Sequence, residues 1–292
     1  MVLPLHVFAL LHAGARISPA SFSIHVSTVI GIVACAALYR WRAAVGTRNG
    51  HRLGRAKPTV LAIALIVLFF SLNGWLHDLS DSYLFSAHMV QHLVLTLVVA
   101  PLLVMATPGW MLRPALRSRV VASIARGITK PFRTFAIFNV VFAGWHLPPL
   151  YNAAMAHHWL HIIQHLMFLV ASVLMWWPIL SPLPELPRLA YPLQMLYLFL
   201  LSIPMSIVAV YIAYADTVLY PAYSVAPRLW GISPMQDQQI GGLIMWIPGG
   251  LYFVSVISVI FFRWQQHNGD ESMAGAQILP DDVATAQLRV TR

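Results

Sequence analysis

Two short runs, His88-Met-Val-Gln-His92 and His161-Ile-Ile-Gln-His165, each place a pair of histidines four residues apart within long apolar stretches. Side chains at i and i+4 share one face of a helix. Two imidazoles so placed can converge on one metal ion, and two such faces turned toward each other can enclose an ion or clamp a haem iron. An ionisable side chain in hydrocarbon is a functional-site hypothesis by default. The zinc-peptidase form of this spacing needs a glutamate directly after the first histidine as general base. Met89 and Ile162 occupy those positions, so proteolysis is disfavoured.

Further ligand types lie nearby in the chain. His77 stands in His77-Asp78-Leu-Ser-Asp81, His146 in Gly144-Trp-His-Leu-Pro-Pro149, and His157 and His158 just ahead of the second histidine pair. Met89, Met155, Met167, Met205, Met235 and Met245 supply thioethers, whereas Cys35 is the single cysteine and permits neither an intrachain disulfide nor a Cys-x-x-Cys motif. Imidazole with thioether, in the absence of useful thiols, suits copper, above all the cuprous ion. Haem is the competing ligand, held by one histidine from each pair. Asp78, Gln91 and Gln164 are placed to orient ring N–H groups from behind the ligands.

The elements that must carry these residues are membrane spans. Of the 292 residues, 59% are hydrophobic and 9% are charged, against about 25% charged in a soluble domain. Seven apolar segments of about 20 residues, the length that crosses hydrocarbon, run near Phe22–Trp41, Pro58–His77, Tyr83–Thr107, Phe132–Tyr151, His158–Leu180, Leu189–Tyr214 and Gln239–Phe262. The fold class expected is an all-α integral membrane protein, a seven-transmembrane helix bundle. Its membrane domain covers residues 22–262. A polar tail over residues 263–292, rich in Gly, Asp and Glu, reads as disordered. Residues 1–21 form a short N-terminal segment. Its stretch Val2–Leu11, followed by Ala13-Gly-Ala15, is signal-like, but the missing basic region favours an interfacial segment over a cleaved signal.

Charge sets the orientation. The formal net charge is +9, and twelve of the eighteen Lys and Arg fall between Arg40 and Lys57 or between Arg113 and Arg133. Both blocks lie between spans, where positive charge marks the cytoplasmic side. That pattern accounts for the basic balance without a nucleic-acid partner. It puts the N-terminus outside and the C-terminus in the cytoplasm. All eight histidines within or beside spans two to five then collect in the outer half of the bundle. His92 and His165 lie roughly 10–13 Å below the outer helix ends at the α-helical rise. The inner halves offer no charged or histidine relay, which disfavours a transporter. Both lysines, Lys57 and Lys130, sit at cytoplasmic ends or loops, so no buried amine is available for a retinal Schiff base.

Ser86-Ala-His-Met-Val-Gln-His-Leu93 at the head of span three, Ala100-Pro-Leu-Leu and Thr107-Pro at its end, Gly144-Trp-His, and Asp237-Gln-Gln-Ile-Gly-Gly-Leu-Ile-Met-Trp-Ile-Pro-Gly249 together resemble the CtaG family of cytochrome c oxidase assembly factors. The family meant is the polytopic one associated with caa-type oxidases. The resemblance runs from about Phe22 to Phe262. It implies a multi-pass bacterial plasma-membrane protein that matures haem-copper oxidase without turnover of its own. Copper is the cargo it suggests, with oxidase subunits and membrane lipid as partners. The family motif positions are His88, His92, His146, Asp237 and Gln238; His77, His161 and His165 join the expected site by position. A haem-binding, quinol-facing protein of cytochrome b type remains the alternative. Oligomeric state is left open.

Overall fold

The computed structural model describes residues 22–277, so the expected segment over residues 1–21 and the tail past Gln277 lie outside it. Among the described residues every regular element is helical. Six of the seven expected spans correspond to helices long and apolar enough to cross a membrane. They are α1 (Val26–Arg48), α2 (Ala56–Leu72) with α3 (Trp75–Ser82), and α4 (Phe85–Leu93) continuing through a π segment into α5 (Ala100–Ala106). After the short α6 (Gly109–Leu112) and α7 (Arg119–Ile128) comes α8 (Pro131–His146), where the fourth span was expected. It is followed by α9 (Pro148–Ala156), α10 (His158–Leu180), α11 (Tyr191–Ala213), α12 (Pro221–Ser224) and α13 (Pro234–Gln277). The spans among these are α10, α11 and α13.

Local chemistry explains where these helices depart from the simple reading. α8 has 16 residues, about 24 Å at the helical rise, because Pro148 and Pro149 force the preceding Leu147 into extended backbone, as residues before proline prefer. His77 does not end span two. The helix breaks at Asn73-Gly74, where Gly74 has φ of 68° and the Phe22 ring lies 2.2 Å from where a Cβ would sit. Only glycine accepts both conditions. His77 therefore rides on the separate helix α3. At the far end of the chain, α13 passes the expected boundary at Phe262 without a break, since Arg263-Trp-Gln-Gln-His267 holds neither Pro nor Gly, and it runs to Gln277.

The π segment Val94–Val99 lies directly below His92. Pro101 two residues past it lacks an N–H and crowds the carbonyl four residues earlier. That carbonyl, of Leu97, instead accepts a hydrogen bond from the Tyr252 hydroxyl, and the Thr96 carbonyl accepts from the Trp176 indole at 2.8 Å. One added residue per turn reorients the helix face while its freed carbonyls stay paired, the usual form of a π-bulge at a functional site.

α13 packs closely on two neighbours. A Cβ on Gly242 would meet the backbone nitrogen of Ala213 at 2.7 Å and the carbonyl of Ala209 at 2.9 Å, and one on Gly241 would enter the Phe85 ring. The two glycines thus seat α13 against α11 on one side and α4 on the other, as small residues do between membrane helices. Gly249 and Gly250 are different: nothing lies within 4 Å of a Cβ on Gly250. Gly242→Val is expected to lower stability by about 1–3 kcal/mol, the usual cost of overpacking. Gly250→Val should stay within about 0.5 kcal/mol of wild type. Thermal unfolding of the two purified proteins in detergent checks the pair.

Candidate metal centre

α4 and α10 lie so that their histidine pairs meet. The ring centroids of His88 and His161 are 5.3 Å apart, those of His92 and His165 5.4 Å. One ligand nitrogen from each of His88, His161 and His165 falls within 4.8 Å of the others. The Nε2 atoms of His88 and His92 are 2.9 Å apart, a hydrogen bond from one ring to the other. His146, from the last turn of α8, lies 5.9 Å from His92, and His77 from α3 lies 6.2 Å from His161. None of the six is more than 8% exposed. The histidines expected from four separate segments therefore do form one buried cluster.

Hydrogen bonding decides which ring nitrogens are free. The Tyr223 hydroxyl donates to the Ser80 carbonyl at 2.7 Å and lies 3.2 Å from His88 Nδ1. Burial pushes the Tyr223 phenol well above its ordinary pKa, so it keeps its proton. With that proton committed to Ser80, the oxygen accepts from His88 Nδ1–H and from Tyr151, 2.9 Å away. His88 Nε2 then carries a lone pair, which accepts from His92 Nε2–H at 2.9 Å. His146 Nδ1 lies 2.7 Å from the Phe142 carbonyl, which can only accept, and its Nε2 has no partner. The Asp81 carboxylate, 3.7 Å from His161 Nδ1, favours the proton there and leaves His161 Nε2 without a partner as well. A backing acceptor that fixes the proton on the far nitrogen is the usual arrangement behind ligating histidines. His165 Nε2 and His92 Nδ1 are also buried without partners.

His77 behaves differently. The Gln91 amide nitrogen donates to the Ser71 carbonyl at 2.6 Å and faces His77 Nδ1 at 3.0 Å. The carbonyl fixes the amide orientation, so His77 Nδ1 accepts and its Nε2 carries the hydrogen toward Asp81, 3.3 Å away. Both nitrogens are engaged. His77 braces Asp81 and Gln91, while His161, His165 and His146 present orphaned nitrogens and His88 Nε2 is engaged only by His92.

The expected supporting residues divide by position. Gln91 holds His77, Ser71 and Ser80 together. Gln164 is fully buried with neither amide atom partnered. Asp78 binds the Ser23 hydroxyl, so the orienting carboxylate is Asp81, one helical turn beyond His77. Gln238 lies outside the cluster and pins the α11–α13 connection through Leu219 N at 2.7 Å and the carbonyls of Ile212 and Thr217. Asp237 accepts from Phe85 N at 2.7 Å, Ser86 N at 3.1 Å and the Ser86 hydroxyl at 2.6 Å. It caps α4, not its own helix. His157 and His158 are exposed.

Three residues at the site were not singled out from sequence. His25 sits with its ring 4.1 Å from His77; its place at the head of span one, on the same side as the others, was a usable signal. Asp81 was visible as the i+4 partner of His77. Tyr223 belongs to a long connection with no periodic pattern, and nothing in the sequence marked it. A haem finds little room here. A macrocycle must enter between its axial imidazoles, and the facing rings of α4 and α10 already pack against one another.

The sequence profile described as cytochrome c oxidase caa3 assembly factor matches residues 35–267. An uncharacterized protein of Mycobacterium bovis is 26% identical over 207 residues, covering 64% of this chain and 31% of that protein. An uncharacterized protein of Mycobacterium leprae is 23% identical over 203 residues, again covering 64% and 31%. The chain thus spans about a third of the length of these curated relatives. No solved structure matches it.

Because Asp237 alone satisfies three donors at the head of α4, Asp237→Ala should cost about 2 kcal/mol or more, with Asp237→Asn in between, since its amide keeps one oxygen. Thermal melts of the purified variants read this directly. An alanine variant as stable as wild type would mean that water replaces the carboxylate.

Proposed function

This chain belongs to the cytochrome c oxidase caa3 assembly factor family, and from that premise we propose that its histidine cluster binds copper and hands it to an oxidase subunit during maturation. The observation that carries the reading is the convergence of ligand nitrogens from His88, His161 and His165 within 4.8 Å. The backing contacts of Tyr223 to His88 and Asp81 to His161 add to it. Buried imidazoles are neutral donors, and neutral donors around a singly charged ion leave less uncompensated charge in the interior than around a doubly charged one. Imidazole without thiolate, in a shell that is not closed, suits cuprous copper held for exchange. His88, His161 and His165 form the core of this site, with His92 and His146 beside it. His77 and Asp81 orient it.

In this reading the protein is a multi-pass component of a bacterial plasma membrane and catalyses no turnover. α8 crosses as the fourth of seven spans, shortened at its histidine end by the Leu147-Pro148-Pro149 turn. The two basic blocks face the cytoplasm, the N-terminus lies outside, and the cluster opens toward the outer surface, where the positive-inside rule puts it. The recipient is a haem-copper oxidase subunit.

Anaerobic competition of purified protein against a chromogenic cuprous chelator tests the metal. Wild type should take copper from the chelator. His88→Ala and His161→Ala should weaken binding at least about tenfold, and Asp81→Asn by about 10- to 100-fold, as loss of a backing acceptor does. Cells carrying either histidine variant should contain the protein in the membrane and lack oxidase activity. A wild-type protein that takes up no copper, or one purified with a Soret band, would overturn the proposal, the latter in favour of haem.

A further inference from the structure

At the end of the bundle away from the histidines, α7 lies on the connection from α6 to α8. Ser118 caps it, accepting from Val121 N at 3.4 Å, and Lys130 turns extended ahead of Pro131, as residues before proline do. At about 100° per residue, Val120, Val121, Ile124, Ala125 and Ile128 share one side of this helix, and Arg119, Ser123 and Arg126 share the opposite side. The protein covers little of the apolar side. Val120 is 68% exposed, Ile124 57% and Val121 43%, and Ala122, on the flank, is the buried residue of the helix. Phe132, at the head of α8, is 81% exposed. A helix of ten residues is marginal in water by itself, so this side needs a cover.

The cations around it are equally uncommitted. Elsewhere at this end, Arg42 donates to the Met111 carbonyl at 2.7 Å, Lys57 to the Met105 carbonyl at 2.5 Å, and Arg113 pairs with Glu185 at 2.9 Å. The side chains of Arg117, Arg119, Arg126, Lys130 and Arg133 have no hydrogen bond or ion pair to any described residue. Unpaired cations beside an exposed Val–Ile side match a surface that is anionic on top and apolar beneath. A protein partner fits less well, because the apolar side lacks the Trp, Tyr and Arg anchors that dominate protein interfaces. Only Thr129 and Lys130 separate α7 from α8. Its end therefore stays within about 11 Å of that helix, three steps of extended chain, at the level where the apolar stretch begins.

We propose that α7 is a docking surface for anionic phospholipid: it lies flat in the bilayer interface, its Val–Ile side among the acyl chains and Arg119 and Arg126 on the lipid phosphates. A helix with this division of faces rests in the interfacial plane. Long cationic side chains run their apolar stems along such a helix and keep their heads at headgroup level. There a guanidinium meets phosphate with two parallel N–H donors, and a cluster of cations selects anionic over zwitterionic lipid. The contact anchors the connection between α5 and α8 to the leaflet. None of these residues belongs to the histidine cluster, so the surface stands apart from the copper reading.

Spin labelling of the full-length protein in nanodiscs of phosphatidylglycerol and phosphatidylcholine, which leave both bilayer faces open, tests this. In a Cys35→Ser background, nitroxides are placed on Ile124→Cys and on Ser123→Cys. Oxygen concentrates in hydrocarbon and a nickel chelate in water, so the ratio of the two responses reads depth. It should be at least about threefold higher at position 124 than at 123. Val120→Cys repeats the reading if Ile124→Cys fails to fold. Equal nickel access at both positions would mean a helix held in water. A label at 124 shielded from both reagents would mean a cover of protein, whether a second copy or another partner. Either result overturns the proposal. The headgroup is read separately, from the phosphatidylglycerol that purified protein retains out of an equimolar mixture with phosphatidylcholine. Arg119→Gln combined with Arg126→Gln should lower it at least about twofold. Arg52→Gln combined with Arg55→Gln, which removes the same charge from the other basic loop, should not. Equal loss from both pairs, or none from the first, would also overturn the proposal.

Discussion

A single carboxylate holds the histidine end of this bundle in register. Asp237, fully buried, receives two backbone N–H groups and one hydroxyl from the first turn of α4. A charge in that position is tolerable only because its donors and the positive end of the helix dipole meet it together. The contact spans some 150 residues of sequence and ties α13 to the helix that carries His88 and His92. The glycines at 241 and 242, one turn further along α13, let that helix lie close enough for the carboxylate to reach. Rotation and depth of α4 are thereby set before any imidazole makes a contact. Below the histidines the π segment makes a second adjustment, and its freed carbonyls are taken up by Trp176 and Tyr252.

Within that frame the cluster is held short of full satisfaction. His92, His146, His161 and His165 each bury a ring nitrogen with no partner, and Gln164 buries two more polar atoms. A buried polar atom left unpaired costs about 1–3 kcal/mol. Concentrating so many in one place opposes folding and needs the surrounding apolar packing to offset it. Proteins break local rules of this kind at functional sites. Beside them the same chain pairs its polar groups closely, in the Gln91, Ser71, Ser80 and His77 network. The contrast between the two halves of one cluster separates bracing residues from those left open.

Much of this was legible in the sequence because helices of a membrane protein are long and apolar, so their faces and ends can be counted. The two His-x-x-Gln-His runs fixed a shared face, and the basic loops placed four histidine-bearing segments at one end. Those two inferences together anticipate the cluster. What escaped depends on contacts between distant segments. Asp237 stands in the first turn of its own helix, and only the fold shows it capping another. The break at Gly74 moved His77 onto α3 and brought Asp81 rather than Asp78 to its ring, leaving both His77 nitrogens engaged. The shortness of α8 follows from a local Pro-Pro pair, yet hydropathy alone ran past it to Tyr151. The π segment had a sequence cause in Pro101, but its partners Trp176 and Tyr252 come from other helices.

Tyr223 links the long connection between α11 and α13 to the His88 ring. Its hydroxyl accepts from Nδ1 across 3.2 Å, and a displacement of about half an ångström carries that contact beyond hydrogen-bonding range. The ring would then lose its tautomeric bias, and the far nitrogen would hold a usable electron pair only part of the time. Arg228, two residues past Ala226, clips the same connection through the carbonyls of Ala226 and Tyr223. The proton position on a buried imidazole is thus coupled to the posture of a peripheral loop that itself touches no other ring of the cluster.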